Sequence, residues 1–347
     1  MTRLRPIALV LFGLACVFGA LAQPAHAQPS KESAVLEKLV AAAKAEGRVM
    51  IYHTSDVATM APVLRAFEKQ YGIKVDNFFA TGAPLSTRFS SEAAIGKMMT
   101  DVFYVSDTTT FGKHASLFQQ LTADNFPVWD RLPDVGKLKS GLAISAAQLS
   151  FAFMYNTSRV KEPEVPRTWA DLLNPTWKGR TLFADPRSSA TFVAFFHMIR
   201  NHVPDILPRI VASDPRLVES SGPMGQQLAA GTGTIGYLNY PSHAVPLMEK
   251  RAPIKWQTIE GPEVTRSAWV GATKGSHPNA ARLLVNFLLS DEGLRVYCVR
   301  ADGAKSIMDP TGKRTGCNPL ATDVLFLPDA PVTKAEGEDV VRQLKLQ

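Results

Sequence analysis

Several familiar marks of chemistry are missing from this sequence. It contains no H-E-x-x-H, no G-x-S-x-G and no P-loop, which removes the zinc-protease, α/β-hydrolase and P-loop nucleotide signatures. Cysteine is scarce, with three in 347 residues. No histidine stands at a zinc-ligand spacing from them, and C-x18-C is not a thioredoxin-type motif. Lysine and arginine are scattered rather than gathered into a stripe with interleaved aromatics, which argues against nucleic-acid binding. After residue 27 no run is long and apolar enough to span a bilayer, which takes about 20 residues.

The one long apolar run lies at the start. Arg3 and Arg5 precede Ile7 to Ala22, and Ala25-His26-Ala27 offers a small-residue cleavage site before Gln28. A basic start, an apolar segment and an A-x-A site predict a cleaved secretory signal over residues 1–27. Gln23 and Pro24 end the run too early for an anchor. Cys16 lacks a Leu three positions before it, so a lipoprotein is disfavoured. Cleavage leaves 320 residues and lowers the formal charge from +7 to +5, because the segment carries two arginines and no acid. It also leaves Cys298 and Cys317 as an even pair. In an exported chain that pair predicts a disulfide contributing about 3 kcal/mol; a metal or redox pair is the alternative.

Hydrophobic periodicity then predicts alternating helices and strands. Ser33 to Ala45 reads as a helix stopped by Gly47, and Arg48 to Tyr52 as a strand. A helix carrying Met60 to Tyr71, strands at Ile73–Ala80 and Asp101–Val105, and a helix with Phe89 between them follow. Strands alternating with helices imply a parallel sheet and an α/β fold. Each strand ends in a hydroxyl- or glycine-bearing loop: Thr54-Ser55, Thr81-Gly82 and Ser106-Asp107. Such loops lie where open α/β sheets bind ligands, and they suit an anion. Helix capping by the same residue types is the competing explanation.

Gly141 to Thr157 reads as a long extended stretch able to pass between two lobes. Beyond it, Arg180 to Ala184 leads into Asp185-Pro-Arg-Ser-Ser189 and a helix with Phe192, Phe195 and Phe196. Gly231-Thr-Gly-Thr-Ile-Gly236 matches G-x-G-x-x-G, but a helix precedes it and a strand follows, so it predicts a turn. Ile254–Ile259 and Arg266–Thr273 read as strands, Asn279–Leu289 as a helix, and Ser290 as the start of another. The charged, proline-bearing end reads as a surface wrap.

The order of these pieces resembles the periplasmic substrate-binding proteins of ABC transporters, in the ferric-iron-binding-protein-like branch. The resemblance rests on Arg48-Val-Met-Ile-Tyr52, Phe67-Glu-Lys-Gln-Tyr-Gly-Ile-Lys-Val75, Asp101-Val-Phe-Tyr-Val105, Phe153-Met-Tyr-Asn-Thr157, Pro166-Arg-Thr-Trp-Ala-Asp-Leu172 and Ser290-Asp-Glu-Gly293. It implies an α/β periplasmic binding protein of type II, with two lobes joined by two crossover strands at about Gly141–Tyr155 and Thr265–Thr273. The expected division is residues 28–144 with 268–308 in the N-terminal lobe, and 145–267 with 309–347 in the C-terminal lobe.

The resemblance further implies a monomeric, non-enzymatic protein of the periplasm with no cofactor. Its partners would be a small-molecule ligand taken up by hinge closure and the membrane permease of an ABC transporter. For an anion bearing phosphate or carboxylate, the expected ligand residues are Thr54, Ser55, Thr81, Gly82, Ser106, Arg187, Ser188, Ser189, Asn239 and Tyr240. Arg187 would act as a bidentate clamp. Iron-binding relatives carry two adjacent tyrosines where this chain reads Tyr237-Leu-Asn-Tyr-Pro241. The adjacent pair is missing, so ferric iron is the alternative, with His53, Tyr237 and Tyr240 as its ligands. Relatives without the pair bind phosphorylated sugars, phosphonates or polyamines. An exported hydrolase and a sensor subunit are the rival readings.

Overall fold

The computed structural model describes residues 30–80, 82–329 and 332–346. The signal segment and Thr81 lie outside the described residues. The first helix, Lys31–Glu46, is capped by the Ser30 hydroxyl and ends at Gly47, whose left-handed φ of 71° turns the chain into the first strand. A second helix, Val57–Tyr71, begins at an Asp56 cap and ends the same way at Gly72. In both, a glycine accepts a backbone conformation that a side chain would strain.

In chain order the strands are β1 (Arg48–His53), β2 (Lys74–Phe79), β3 (Val102–Val105), β4 (Ile144–Ser150), β5 (Ala152–Asn156) and β6 (Thr181–Ala184). They continue with β7 (Arg216–Val218), β8 (Ile235–Asn239), β9 (Ile254–Thr258), β10 (Glu263–Ala272), β11 (Ala304–Lys305) and β12 (Val324–Phe326). One sheet runs β11-β4-β10-β3-β1-β2, with β12 also on β10; the other runs β7-β6-β8-β5-β9. Strands β1, β2 and β3 pair in parallel, and β10 lies antiparallel to both β3 and β4. Every residue of β3, β5, β6 and β8 is buried. Continuous apolar runs of this kind mark strands covered on both faces. Each sheet carries its own apolar core, around Phe67 and Phe287 in the first lobe and around Phe153, Phe195 and Phe196 in the second.

The chain crosses between sheets twice. The long stretch predicted from Gly141 is two strands, with Phe151 at the change of sheet and its N–H bonded to the Val264 carbonyl at 2.9 Å. The return, after β9, enters β10 at Glu263, two residues before the predicted start at Thr265. A buried side-chain cluster holds that point. The Lys305 ammonium lies 2.5 Å from the Glu263 carboxylate, both nearly solvent-free, and the Ser150 hydroxyl donates to the same carboxylate. The last strand residue of β4, the first of β10 and β11 are thus tied together.

The C-terminal stretch is more structured than a surface wrap. Cys317 is bonded to Cys298, which anchors its segment to the helix Asp291–Arg300 of the first lobe. The Asp309 carboxylate accepts from the backbone N–H groups of Arg314 and Thr315. Strand β12 then joins β10, and the helix Lys334–Gln343 buries Val340 against the second lobe. Arg200 meets Asp339 there at 2.5 Å.

Two outcomes follow. Cys298→Ser with Cys317→Ser lowers the unfolding free energy in urea by about 3 kcal/mol, the chain-entropy value for so short a loop. Lys305→Met strands a buried carboxylate and costs about 3–5 kcal/mol, while Lys305→Met with Glu263→Leu recovers most of that loss. Equal stability of the single and double variants would refute the second expectation.

Candidate functional site

A cavity of about 470 Å³ opens between the lobes, within the size range of small-molecule sites. The first lobe supplies Thr54, Ser55 and Asp56 from the β1 loop, Phe79 from the end of β2, and Tyr104 and Ser106 from β3 and its loop. The second lobe supplies Gln226, Tyr240, Ser242, His243 and Lys250. Arg266 and Ala268 on β10 form part of the wall, and Tyr297 of the helix Asp291–Arg300 closes it.

Thr54, Ser55, Ser106 and Tyr240 are therefore brought together as anticipated positions. Thr81 lies outside the described residues, and the remaining anticipated positions do not line this cavity. Gly82 opens the helix Gly82–Ala94 and does not line the cavity. Arg187 is turned onto its own neighbour: its Nε and Nη2 donate to Asp185 at 3.0 and 2.6 Å, and its Nη1 donates to the Leu346 carbonyl at 2.6 Å. That pairing holds the Asp185 carboxyl below its usual range. The Ser188 hydroxyl donates to the Asp185 carbonyl, and Ser189 leads into the helix Ala190–Ile199. The tight 3₁₀ turn Pro186–Ser188 thus engages the Arg187 and Ser188 side chains locally.

Asn239 is fully buried and works on its neighbours. Its Nδ2 donates to the Ser221 carbonyl at 2.9 Å, while its Oδ1 accepts from the Tyr240 N–H at 2.8 Å. The same Oδ1 lies 2.7 Å from His243 Nδ1. Pro241 starts the helix Pro241–Glu249, so Tyr240, Ser242 and His243 are presented together at its first turn.

The anticipated iron ligands are not gathered. Tyr237 points into the second core with its ring 5.0 Å from Phe183, and burial pushes its phenol far up. His53 is buried with Nδ1 2.8 Å from the Ser55 carbonyl, and burial lowers its pKa. Of the three, Tyr240 alone lines the cavity. Among the described residues no cluster of three or more His, Cys, Asp or Glu side chains could hold a metal ion.

The sequence reading missed Arg266, His243, Tyr104 and Tyr297. Arg266 sits over the Tyr240 ring, 4.6 Å from its centroid, in cation–π range. Its Nε is buried with no hydrogen-bond partner among the described residues. A lone arginine within Glu263-Val-Thr-Arg-Ser-Ala-Trp-Val270, otherwise buried throughout, was the available signal. The Tyr104 and Tyr297 hydroxyls lie 3.1 Å apart, and burial raises both phenols while Arg266 opposes the rise. Burial, and then the Arg266 charge, push His243 down to about 4, against a smaller opposing pull from Asp56.

The His243 shift gives a stability profile. Its folded pKa is depressed, so the unfolded chain takes up the proton first. Stability is therefore lost as pH falls from about 6.5 through about 4. His243→Gln flattens the acid limb of Tm against pH in that window; an unchanged limb would refute the assignment.

Comparison with known proteins bears on the family and the fold. The family model described as "Bacterial extracellular solute-binding protein" matches residues 49–298. Among solved structures, the substrate-binding protein of an ABC transporter from Agrobacterium tumefaciens superposes with a TM-score of 0.69 at 15% identity, over 86% of this chain and 93% of that one. Iron-bound HitA from Pseudomonas aeruginosa gives 0.63 at 18% identity, over 86% and 97%. The periplasmic binding protein AfuA from Actinobacillus pleuropneumoniae, with exogenous fructose-6-phosphate bound, gives 0.60 at 19% identity, over 86% and 97%. These likenesses show a shared two-lobed α/β fold. The family match covers well over half of the sequence, and the chain belongs to the bacterial extracellular solute-binding proteins.

Proposed function

We propose that this chain is the solute-capturing subunit of an ABC importer, and that it takes up a small organic anion bearing phosphate or carboxylate. The observation that carries the reading is Arg266. A guanidinium on the crossover strand, with a buried and unpartnered Nε, lines a cavity bordered by the hydroxyls of Thr54, Ser55, Ser106 and Ser242. Removing a cation from water is costly unless an opposite charge or good hydrogen bonds compensate it. An oxyanion supplies both at once. Lys250 adds a second positive charge to the wall, and Asp56 the one acid among the residues that line it.

Capture proceeds by hinge closure about the passages at Phe151 and at 259–262, where the chain changes sheet. Each lobe is the part of the chain that builds one of the two sheets. Closure is driven by whatever contacts the ligand makes only when both walls meet it; here the walls are the Thr54–Ser55 loop and the Tyr240–His243 turn. The permease then reads the closed form. Export to the periplasm through the signal over residues 1–27 belongs to the same proposal.

Ferric iron is the second reading, favoured by three tyrosines on the cavity wall, Tyr104, Tyr240 and Tyr297. It would need phenolates, and burial raises all three pKa values. The unpaired cation instead favours an anion.

Calorimetry against phosphate, carboxylate, amine and Fe³⁺ ligands tests the proposal. Arg266→Gln weakens binding of the organic anion by about 2–5 kcal/mol, roughly thirty-fold to several thousand-fold. Arg187→Gln leaves it unchanged. Binding of Fe³⁺ alone, with a tyrosinate charge-transfer band, would overturn the reading, as would binding of a polyamine alone.

A further inference from the structure

A second cavity, of about 250 Å³, shares Ser106 and Arg266 as wall residues with the first. It fills the space along β10 between the end of β3 and β12. Its character is different. Ala190, Val193 and Ala194 of the second-lobe helix, Trp269 of β10, and Leu327 and Pro328 after β12 supply an apolar lining. The C-terminal segment roofs it, and the Thr108 hydroxyl fastens that roof to the first lobe by donating to the Asp329 carbonyl. Asp329 also reaches the chamber, and burial raises its carboxyl above the usual range.

We infer that the ligand is an amphipathic organic anion. Its oxyanion head sits at Arg266, and an apolar group enters the smaller chamber past Ser106. This rests on the anion reading above and adds the class of solute. A cavity of about 150 Å³ lined by apolar side chains admits benzene, so about 250 Å³ accommodates one ring with a short substituent. A polyol phosphate would leave the apolar lining without a partner and would bring hydroxyls into it, which is costly without hydrogen bonds. The hydroxyl-rich larger cavity holds the remainder of the ligand and water.

The test uses the mature protein and matched probes: phenyl phosphate against glycerol 3-phosphate, phenylacetate against glycolate, and inorganic phosphate as the bare head. For whichever head binds, the aryl member binds at least tenfold more tightly than its polar counterpart. Ala194→Trp fills the chamber and reduces that preference to threefold or less, with the bare head unaffected. Ala190→Trp, at an exposed position on the chamber rim, does the same should the first variant fail to fold. Equal affinity for aryl and polar members, or a preference that survives a folded chamber-filling variant, overturns the amphipathic assignment and leaves the anion reading standing. Failure of every anionic probe to bind the unmodified protein overturns both.

Discussion

The paired crossover strands β4 and β10 are the constraint on which this molecule depends. Their antiparallel ladder runs from Thr265 opposite Ser150 to Val270 opposite Ile144. At its end both strands leave for the second sheet, one through Phe151 and the other from Glu263. Because the strands are bonded to each other before they part, the two lobes share one foundation. The Glu263–Lys305 pair with the Ser150 hydroxyl fixes that foundation by a buried electrostatic contact. Its two charges make the register specific, since a shift would leave one of them unpaired in low dielectric. The proposed closure would turn on the short segments beyond it.

The same ladder places Arg266. It lies opposite Leu149, one residue after the last paired position of β12. The guanidinium therefore emerges where two lobes and two cavities meet. Tyr240 supplies a ring face beneath it, worth about 0.5–2 kcal/mol. Only the Nε is buried; the side chain as a whole is half-buried. In the proposed reading, an anion completes the partners of that Nε and so couples ligand capture to the geometry of the crossover. His243, kept neutral by burial and by the same guanidinium, can offer the ligand a nitrogen without adding charge.

Much of the fold was legible because it depends on local patterns. The Asp56 start, the stops at Gly47 and Gly72, and the apolar runs of β1 and β3 report themselves in the residues, while the first helix begins at Lys31, two residues before the expected Ser33. The turn at Gly231, with a φ of 78°, was likewise readable from its order between helix and strand. The site was only half legible. Thr54, Ser55 and Ser106, singled out in the sequence, meet on one cavity wall because strand ends in such sheets converge. Arg187 misled because its partner Asp185 stands two residues away, and a local ion pair looks the same in sequence as a free donor. Asn239 and Tyr237 misled for another reason: on β8 the alternation that decides which side chain faces the cleft depends on which face the second core covers.

The sequence by itself determined the alternation of elements, the two-lobed α/β architecture through its resemblance to a known family, and the pairing of Cys298 with Cys317, since these are the two cysteines beyond the expected signal segment. Local propensity and compartment chemistry suffice for those. Only the tertiary structure decided which cation faces the cleft. Arg266, Tyr240 and Tyr297 are far apart in sequence, and Tyr104 is farther still. Their meeting depends on strand register and on the crossing of β10 between sheets, neither of which any local pattern encodes.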